Sequence, residues 1–172
     1  MAAKWRRSVL GVWIDGLAAA VLILGFALGG FIDGIVLHQT LQWHHMVSDT
    51  QFVPTSLRNL EINTTADGFF HLMIWMLTIT GLAMIWRQGR QHFGPWPVGV
   101  LVGGLLTGWG IFNLVEGTVN HHILGIHHVR EGSPGYELAW DLGFLAFGAA
   151  LLLIGWVTIH LGQRTELDEN SP

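Results

Sequence analysis

The sequence predicts an all-α protein, a bundle of four transmembrane helices built from two duplicated two-helix hairpins. Of its 172 residues 51% are hydrophobic and only 12% are charged, which is about half the charged share of a soluble domain. Four stretches, at residues 9–37, 69–86, 98–119 and 138–159, are apolar with few interruptions, and each is long enough to cross a bilayer as a helix. A repeat of the first half in the second half predicts the duplication.

We expect residues 1–172 to form a single integral membrane domain. The predicted helices cover about 9–45, 66–86, 97–128 and 137–160, with an outer loop at 46–65 and a cytoplasmic tail at 161–172. Thr55 or Ser56 is a candidate N-cap for a short helix within the outer loop.

The distribution of lysine and arginine predicts the orientation of the bundle. Six of these residues lie before the first helix, between the second and third, or after the fourth: Lys4, Arg6, Arg7, Arg87, Arg90 and Arg164. Only Arg58 and Arg130 lie in the other two loops. Because cytoplasmic segments carry the excess of positive charge, both termini and the middle loop are predicted to be cytoplasmic.

The duplication is clearest in two histidine boxes, HQTLQWHH at 38–45 and HHILGIHH at 121–128. A shift of 83 residues superimposes them, and 7 of 21 positions are then identical between 25–45 and 108–128. The acid Asp33 falls on Glu116, five residues before a histidine in each copy. A shift of 74 aligns the second and fourth helices, placing Asp67 on Asp141 but His71 on Leu145. Each half crosses the membrane twice, so the pseudo-two-fold axis is expected along the membrane normal.

With this orientation, most ionisable side chains lie in one layer near the outer face. Ionisable groups at membrane depth are costly and tend to face the bundle interior in pairs. The candidate metal ligands in this layer are His38, His44, His45, Asp67, His71, His121, His127, His128, Asp33, Glu116 and Asp141. His92 and His160 are expected at the inner face as ordinary interfacial residues.

Helical periodicity gives these candidates different predicted roles. At about 100° per residue, His38 shares a helix face with His45 and His121 shares one with His128. These four residues, with Asp67 and His71, are the predicted ligands. Asp33, Glu116 and Asp141 are predicted to bridge or orient them. His44 or His127 is assigned a supporting role, and His122 is expected to be peripheral.

A transition metal is the simplest single explanation of this layer. The chain has no cysteine, so imidazole and carboxylate are the main available ligands, and they suit iron, copper and zinc. Two similar halves predict two ions or one dinuclear centre of iron or copper, with zinc as a further option. A hydrogen-bonded polar layer or a proton path through titrating histidines is the alternative without a metal.

The segments DGIVLHQTLQWHH, ADGFFH and NLVEGTVNHHILGIHH resemble the membrane proteins grouped as domain of unknown function family 2243. The resemblance covers roughly residues 18–160. It implies a four-helix, multi-pass protein of the bacterial or archaeal inner (cytoplasmic) membrane. A looser similarity is to membrane desaturases and hydroxylases, whose histidine boxes hold two irons, although the spacings HxxxxxHH and HHxxxxHH differ from theirs.

Three functions compete at this point. The first is a metal-dependent oxidoreductase with a dinuclear iron or copper site and redox or oxygen chemistry. The second is a factor that delivers or stores metal for a respiratory complex. The third is a haem-binding electron-transfer protein with histidines of the first and third helices as axial ligands. The expected partners are the lipid bilayer and a second copy of the chain or a respiratory complex, and we expect no nucleic acid.

Overall fold

Four long helices make up the protein, for which the computed structural model describes residues 2–91 and 96–169, with side chains at 16–91 and 96–161. They are α1 (Ala2–Ile32), α2 (Leu57–Gly89), α3 (Val98–Glu116) and α4 (Glu137–Glu169). Two π-helical segments, π1 (Asp33–Thr40) and π2 (Gly117–Leu124), continue α1 and α3. These ranges contain no strand. Four spans, Gly16–Thr40, Leu57–Gly89, Val98–Leu124 and Glu137–Leu161, are long and apolar enough to cross a membrane, which confirms the predicted all-helical class.

The α1 and α3 helices form the centre of the bundle and approach each other closely through glycine. A Cβ added at Gly25 would meet the backbone oxygen of Leu105, and one at Gly108 would meet that of Leu22. These two contacts are equivalent under the shift of 83 residues. Small residues allow such backbone contact between membrane helices, so they place the outer ends of α1 and α3, which carry the histidine boxes, side by side.

The α2 and α4 helices flank this centre, with α2 packed on α1 and α4 packed on α3. A Cβ at Gly81 would meet Leu24, and one at Gly155 would meet Thr107, again in equivalent positions. Their other faces expose large apolar side chains: Leu72, Met76, Leu142, Leu153 and Ile154 are each more than half exposed. In a bundle of this hydropathy those faces contact lipid. The contacts of one half therefore have counterparts in the other half at the shifts of 83 and 74 residues.

The two histidine-bearing helices end earlier than the sequence pattern predicts. They stop at Thr40 and Leu124 instead of at about 45 and 128. The reason is a turn with positive φ shortly after each end, at Gln42 (φ 50°) and at Gly125 (φ 56°), again 83 residues apart. The α2 helix in turn begins earlier than predicted, at Leu57, because Ser56 caps it by accepting a hydrogen bond from the Asn59 backbone.

The loops that follow these turns pair with each other over the histidine end of the bundle, the end formed by π1, π2 and the starts of α2 and α4. The Asp49 backbone N–H donates to the Ile126 carbonyl at 2.9 Å, and the Glu131 N–H donates to the Trp43 carbonyl at 3.0 Å. The Ser48 hydroxyl, which is buried, donates to the Glu131 carboxylate at 2.5 Å. The paired loops therefore form a cover over the side chains beneath them.

Candidate metal centre

Each π-helical segment brings an acid and a histidine five residues apart into contact. His38 Nε2 lies 3.1 Å from Asp33 Oδ2, and His121 Nε2 lies 3.1 Å from Glu116 Oε1. In an α-helix, residues five apart point about 140° away from each other. The i→i+5 hydrogen bonding of a π-helix instead places them one above the other. Two π-helical segments at equivalent positions thus create two equivalent acid–histidine pairs.

The turns after π1 and π2 bring a second histidine to each pair. His44 Nε2 lies 3.8 Å from Asp33 Oδ1, and His127 Nε2 lies 2.8 Å from Glu116 Oε1. The His44 and His127 rings stack on each other with centroids 4.6 Å apart and an interplanar angle of 6°. We call Asp33, His38, His44, Glu116, His121 and His127 the central cluster; all six are at most 6% exposed.

The Nδ1 atoms of the four clustered histidines point away from the cluster, toward hydrogen-bond acceptors. His44 Nδ1 donates to the Val129 carbonyl at 2.8 Å, and His127 Nδ1 donates to the Met46 carbonyl at 3.1 Å. These carbonyls belong to the loop of the opposite half. The other two Nδ1 atoms face carboxylates: His38 Nδ1 lies 2.8 Å from Asp67 Oδ1, and His121 Nδ1 lies 3.3 Å from Asp141 Oδ1.

The backbone carbonyls determine the tautomer of two of the imidazoles. A carbonyl accepts and does not donate, so Nδ1 of His44 and of His127 carries the proton, and in a neutral ring the lone pair of Nε2 then faces Asp33 or Glu116, which are acceptors too. His38 and His121 have a carboxylate near each ring nitrogen, so these contacts do not select one tautomer. Among the described residues, Nε2 of His38, of His44 and of His121 has no hydrogen-bond partner. Such converging groups require positive charge among them, which either protons on the imidazoles or a bound metal ion can supply.

Burial keeps His44 neutral, and Glu116 makes His127 the more basic of the stacked pair. Desolvation, with the charges of His127 and His38 acting in the same direction, lowers the pKa of His44 to about 2. Desolvation also lowers the pKa of His127, but its hydrogen bond with Glu116 and the charge of that carboxylate outweigh burial and raise the pKa overall. A proton and a metal ion would therefore compete for His127 Nε2.

The candidate donor atoms lie close enough together to hold a metal ion. The candidate donor atoms of His38, His44 and His127 lie within 4.8 Å of one another, as do those of Glu116, His121 and His127. Ligands about 2.1 Å from an ion and about 90° apart lie roughly 3 Å from each other. The contacts of 2.8–3.1 Å between imidazole nitrogen and carboxylate oxygen correspond to neighbouring ligands of that kind.

Asp67 and Asp141 support the central cluster from outside. Asp67 accepts from His38, from His45 Nδ1 at 2.7 Å and from the Met46 backbone N–H at 2.9 Å. Asp141 has the same role in the other half, accepting from His128 Nδ1 at 2.6 Å and from the Val129 N–H at 2.9 Å. A carboxylate behind a ligating imidazole is the usual arrangement around protein-bound metals.

The other histidines of the predicted layer lie outside the central cluster. His45 and His128 bind Asp67 and Asp141 through Nδ1, and their side chains are 12% and 29% exposed. His71 donates from Nδ1 to the Asp67 carbonyl at 2.8 Å, on the α2 side of π1. His122 is exposed, as expected for a peripheral residue.

Comparison with known proteins identifies the family of the chain. The family model described as "Predicted membrane protein (DUF2243)" matches residues 20–162. The chain belongs to this family. This confirms the resemblance inferred from the histidine boxes, and with the four apolar helices it makes the DUF2243 protein a multi-pass membrane protein in contact with the lipid bilayer. Searches of curated proteins and of solved structures give no match.

The sequence predicted eleven candidate ligands for this DUF2243 protein, and the structure places six of them in the central cluster and the others around it. The prediction that His38 and His45 share one face of an α-helix is wrong, because the chain forms π1 and then a turn at Gln42 in this region. His44 instead lies beside His38, with ring centroids 4.4 Å apart. The carbonyls that hold His44 and His127 belong to the backbone and carry no sequence signal. His92 lies outside the described residues, and His160 is exposed on α4.

Proposed function

We propose that this DUF2243 protein holds a dinuclear iron or copper centre in the central cluster and uses it for redox or oxygen chemistry. The observation that carries the proposal is the convergence of four buried imidazole Nε2 atoms on two buried carboxylates, with every Nδ1 directed to an outer acceptor. Imidazole nitrogen and carboxylate oxygen together suit iron and copper, and zinc is a third option.

Two compact groups of donor atoms lie in the central cluster. One contains His38, His44 and His127, the other contains Glu116, His121 and His127, and Asp33 lies beside the first group. Two histidines and one carboxylate form the ligand set of non-haem iron(II) oxygenases, which leaves coordination positions open. One ion per group, with carboxylates able to bridge, supports a dinuclear centre.

The charge of the buried groups supports two divalent cations. Asp33, Asp67, Glu116 and Asp141 are each at most 6% exposed, and none of them pairs with a lysine or arginine among the described residues. Their ion-pair partners are histidines, which compensate the charge only when protonated, and uncompensated charge at membrane depth is costly. Two divalent ions supply four positive charges for four carboxylates while every imidazole stays neutral, as metal ligation requires.

The chain contributes orientation and exclusion of water. Asp67, Asp141 and the two loop carbonyls hold the imidazoles in position, and the loop cover shields the cluster from the aqueous side. Two iron or copper ions bound there would supply electron transfer and the activation of oxygen. Haem is less well supported, because Asp33 and Glu116 occupy the space between the imidazoles that a porphyrin would need.

The membrane setting and partners extend the proposal. The arginine and lysine pattern supports an inner-membrane location with cytoplasmic termini, so the centre lies near the outer face. A second copy of the chain, or a respiratory complex that exchanges electrons with the centre, is the partner class we propose.

X-ray absorption at the metal edge, on purified protein in its reduced and air-oxidised forms, tests this function. We expect histidine and oxygen ligands, a second metal at about 3.5–4 Å, and an edge that shifts reversibly between the two forms. A bound metal whose edge does not move under either treatment contradicts redox chemistry and favours metal delivery or storage.

A further inference from the structure

A cavity of about 310 Å³ lies beside the central cluster, between α1, α3 and α4. Five aromatic side chains form much of its wall: Trp43, Trp109, Trp140, Phe144 and Phe147. Trp43 and Trp140 close its histidine end, with ring centroids 5.3 Å apart and the Arg130 guanidinium 5.1 and 5.3 Å from their rings. The cavity is therefore lined largely by aromatic side chains, and the Arg130 guanidinium lies against the two tryptophans at its histidine end.

Two polar side chains interrupt the apolar lining of the cavity, Asp33 and Asn113. Asn113 is 2% exposed, and the structure records no hydrogen bond from its side-chain amide to any described residue. Buried amides nearly always have a partner, because an unpaired one costs free energy. An amide that both donates and accepts, at the wall of a cavity, indicates a ligand with a hydroxyl or carbonyl group.

The lining of the cavity includes two glycines whose counterparts in the other half of the chain are phenylalanines. Gly29 corresponds to Phe112 under the shift of 83, and Gly143 corresponds to Phe69 under the shift of 74. Phe112 is buried and packs edge-on against Phe26 at 5.3 Å. A Cβ at Gly143, by contrast, would meet no atom within 4 Å. The two halves thus differ at two positions of the cavity wall, and Gly143 leaves open space beside it.

The cavity connects the lipid side of the bundle to the proposed metal centre. Gly143 is exposed and Phe147 is 48% exposed on the outward face of α4, so a molecule dissolved in the bilayer can enter between α1 and α4. At the other side the wall includes Asp33, whose carboxylate lies 3.1 Å from His38 Nε2. A molecule in the cavity therefore lies against a carboxylate of the central cluster.

We infer that the cavity binds the ring of a lipophilic phenol or hydroquinone, which makes this class the substrate of the centre; the inference rests on the proposed function. Flat aromatic walls pack favourably against a ring, and a hydroxyl on that ring bonds the Asn113 amide and faces Asp33. A lipid acyl chain leaves Asn113 unpaired. The volume is at the lower end of small-molecule pockets, so the ring enters and an alkyl tail stays among the lipids.

Photo-crosslinking tests the inference. The probe is a 4-alkylphenol with a diazirine on its short chain, used on the metal-loaded protein in lipid nanodiscs with excess 4-butylphenol as competitor. We expect competable labelling of residues 109–113 and 143–147. Gly143→Phe fills the cavity and should abolish the labelling, while Asn113→Leu should weaken it about tenfold through the lost hydrogen bond. Gly68→Phe is the control, because a Cβ at Gly68 also meets no atom within 4 Å and this glycine does not line the cavity.

Labelling that the competitor does not displace, or that Gly143→Phe leaves unchanged, overturns the inference, as does equal labelling by a diazirine fatty acid. The metal content of every sample is measured in parallel. Metal without competable labelling means that the substrate class is wrong and the metal centre stands. Competable labelling of a protein that takes up no metal means that the phenol site is real and the metal centre is wrong.

Discussion

The double variant His38→Ala/His121→Ala is expected to lose most of its bound metal. Each substitution removes one imidazole of a ligand set, and the second removes the counterpart of the first. Loss of a supporting group behind a metal ligand typically costs 10–100-fold in affinity, and the loss of a ligand from both sets costs more. Metal per chain, determined by elemental analysis after dialysis against a weak chelator, measures the effect.

The matched control removes two histidines outside the central cluster, as His122→Ala/His160→Ala. Both residues are exposed, so this variant should keep its metal. If the alanine pair at 38 and 121 does not yield a monodisperse protein, glutamine at both positions preserves the side-chain volume and removes the imidazole. Full metal occupancy in a folded double variant contradicts the assignment of the two boxes as ligands.

The second large effect is expected from Asp67→Asn, which changes no proposed ligand. The carboxylate accepts from His38, His45 and the Met46 backbone, and an amide offers a single acceptor oxygen. If its NH₂ group faces His38 Nδ1, the imidazole must move its proton to Nε2, where it blocks the metal. We expect metal affinity to fall about 10–100-fold, as measured by competition with a chromophoric chelator.

Asp49→Asn is the control for this effect. It makes the same chemical change at a carboxylate that is 53% exposed and lies 3.5 Å from His128 Nε2, outside the central cluster. Its metal affinity should match that of the unmodified protein. Equal affinities for Asp67→Asn and the unmodified protein, with both folded, would show that the orientation of His38 does not depend on this carboxylate.

The similarity of the two histidine boxes explains how the candidate site could be predicted from the sequence. Asp33 and Glu116 align with each other, and so do the histidines that follow them, so the sequence alone predicts a layer of ionisable residues with two similar halves. Hydrophobic length likewise predicts the four spans. These are properties of composition and spacing along one chain, and they depend little on how the backbone bends.

The assignment of ligands depends on backbone geometry that periodicity does not reveal. The α-helical rule separates Asp33 from His38 and places His45 beside it, whereas π1 and the positive φ at Gln42 reverse both relations. No residue type in the sequence predicts a π-helix. Asn113 was not predicted for a different reason. Its counterpart in the repeat is Gly30, so the alignment of the two halves does not mark it as a site residue. Its unpaired amide is recognised only from its position in the cavity wall.

The most direct test of the dinuclear centre is the amount of metal in the unmodified protein, purified in mild detergent without an affinity histidine tag. Elemental analysis and an absorption spectrum are taken on the same sample. We expect about two iron or copper ions per chain and no Soret band. Absence of metal above background, even after reconstitution with iron and with copper, would contradict the centre and leave the buried histidines and carboxylates as a proton-binding network.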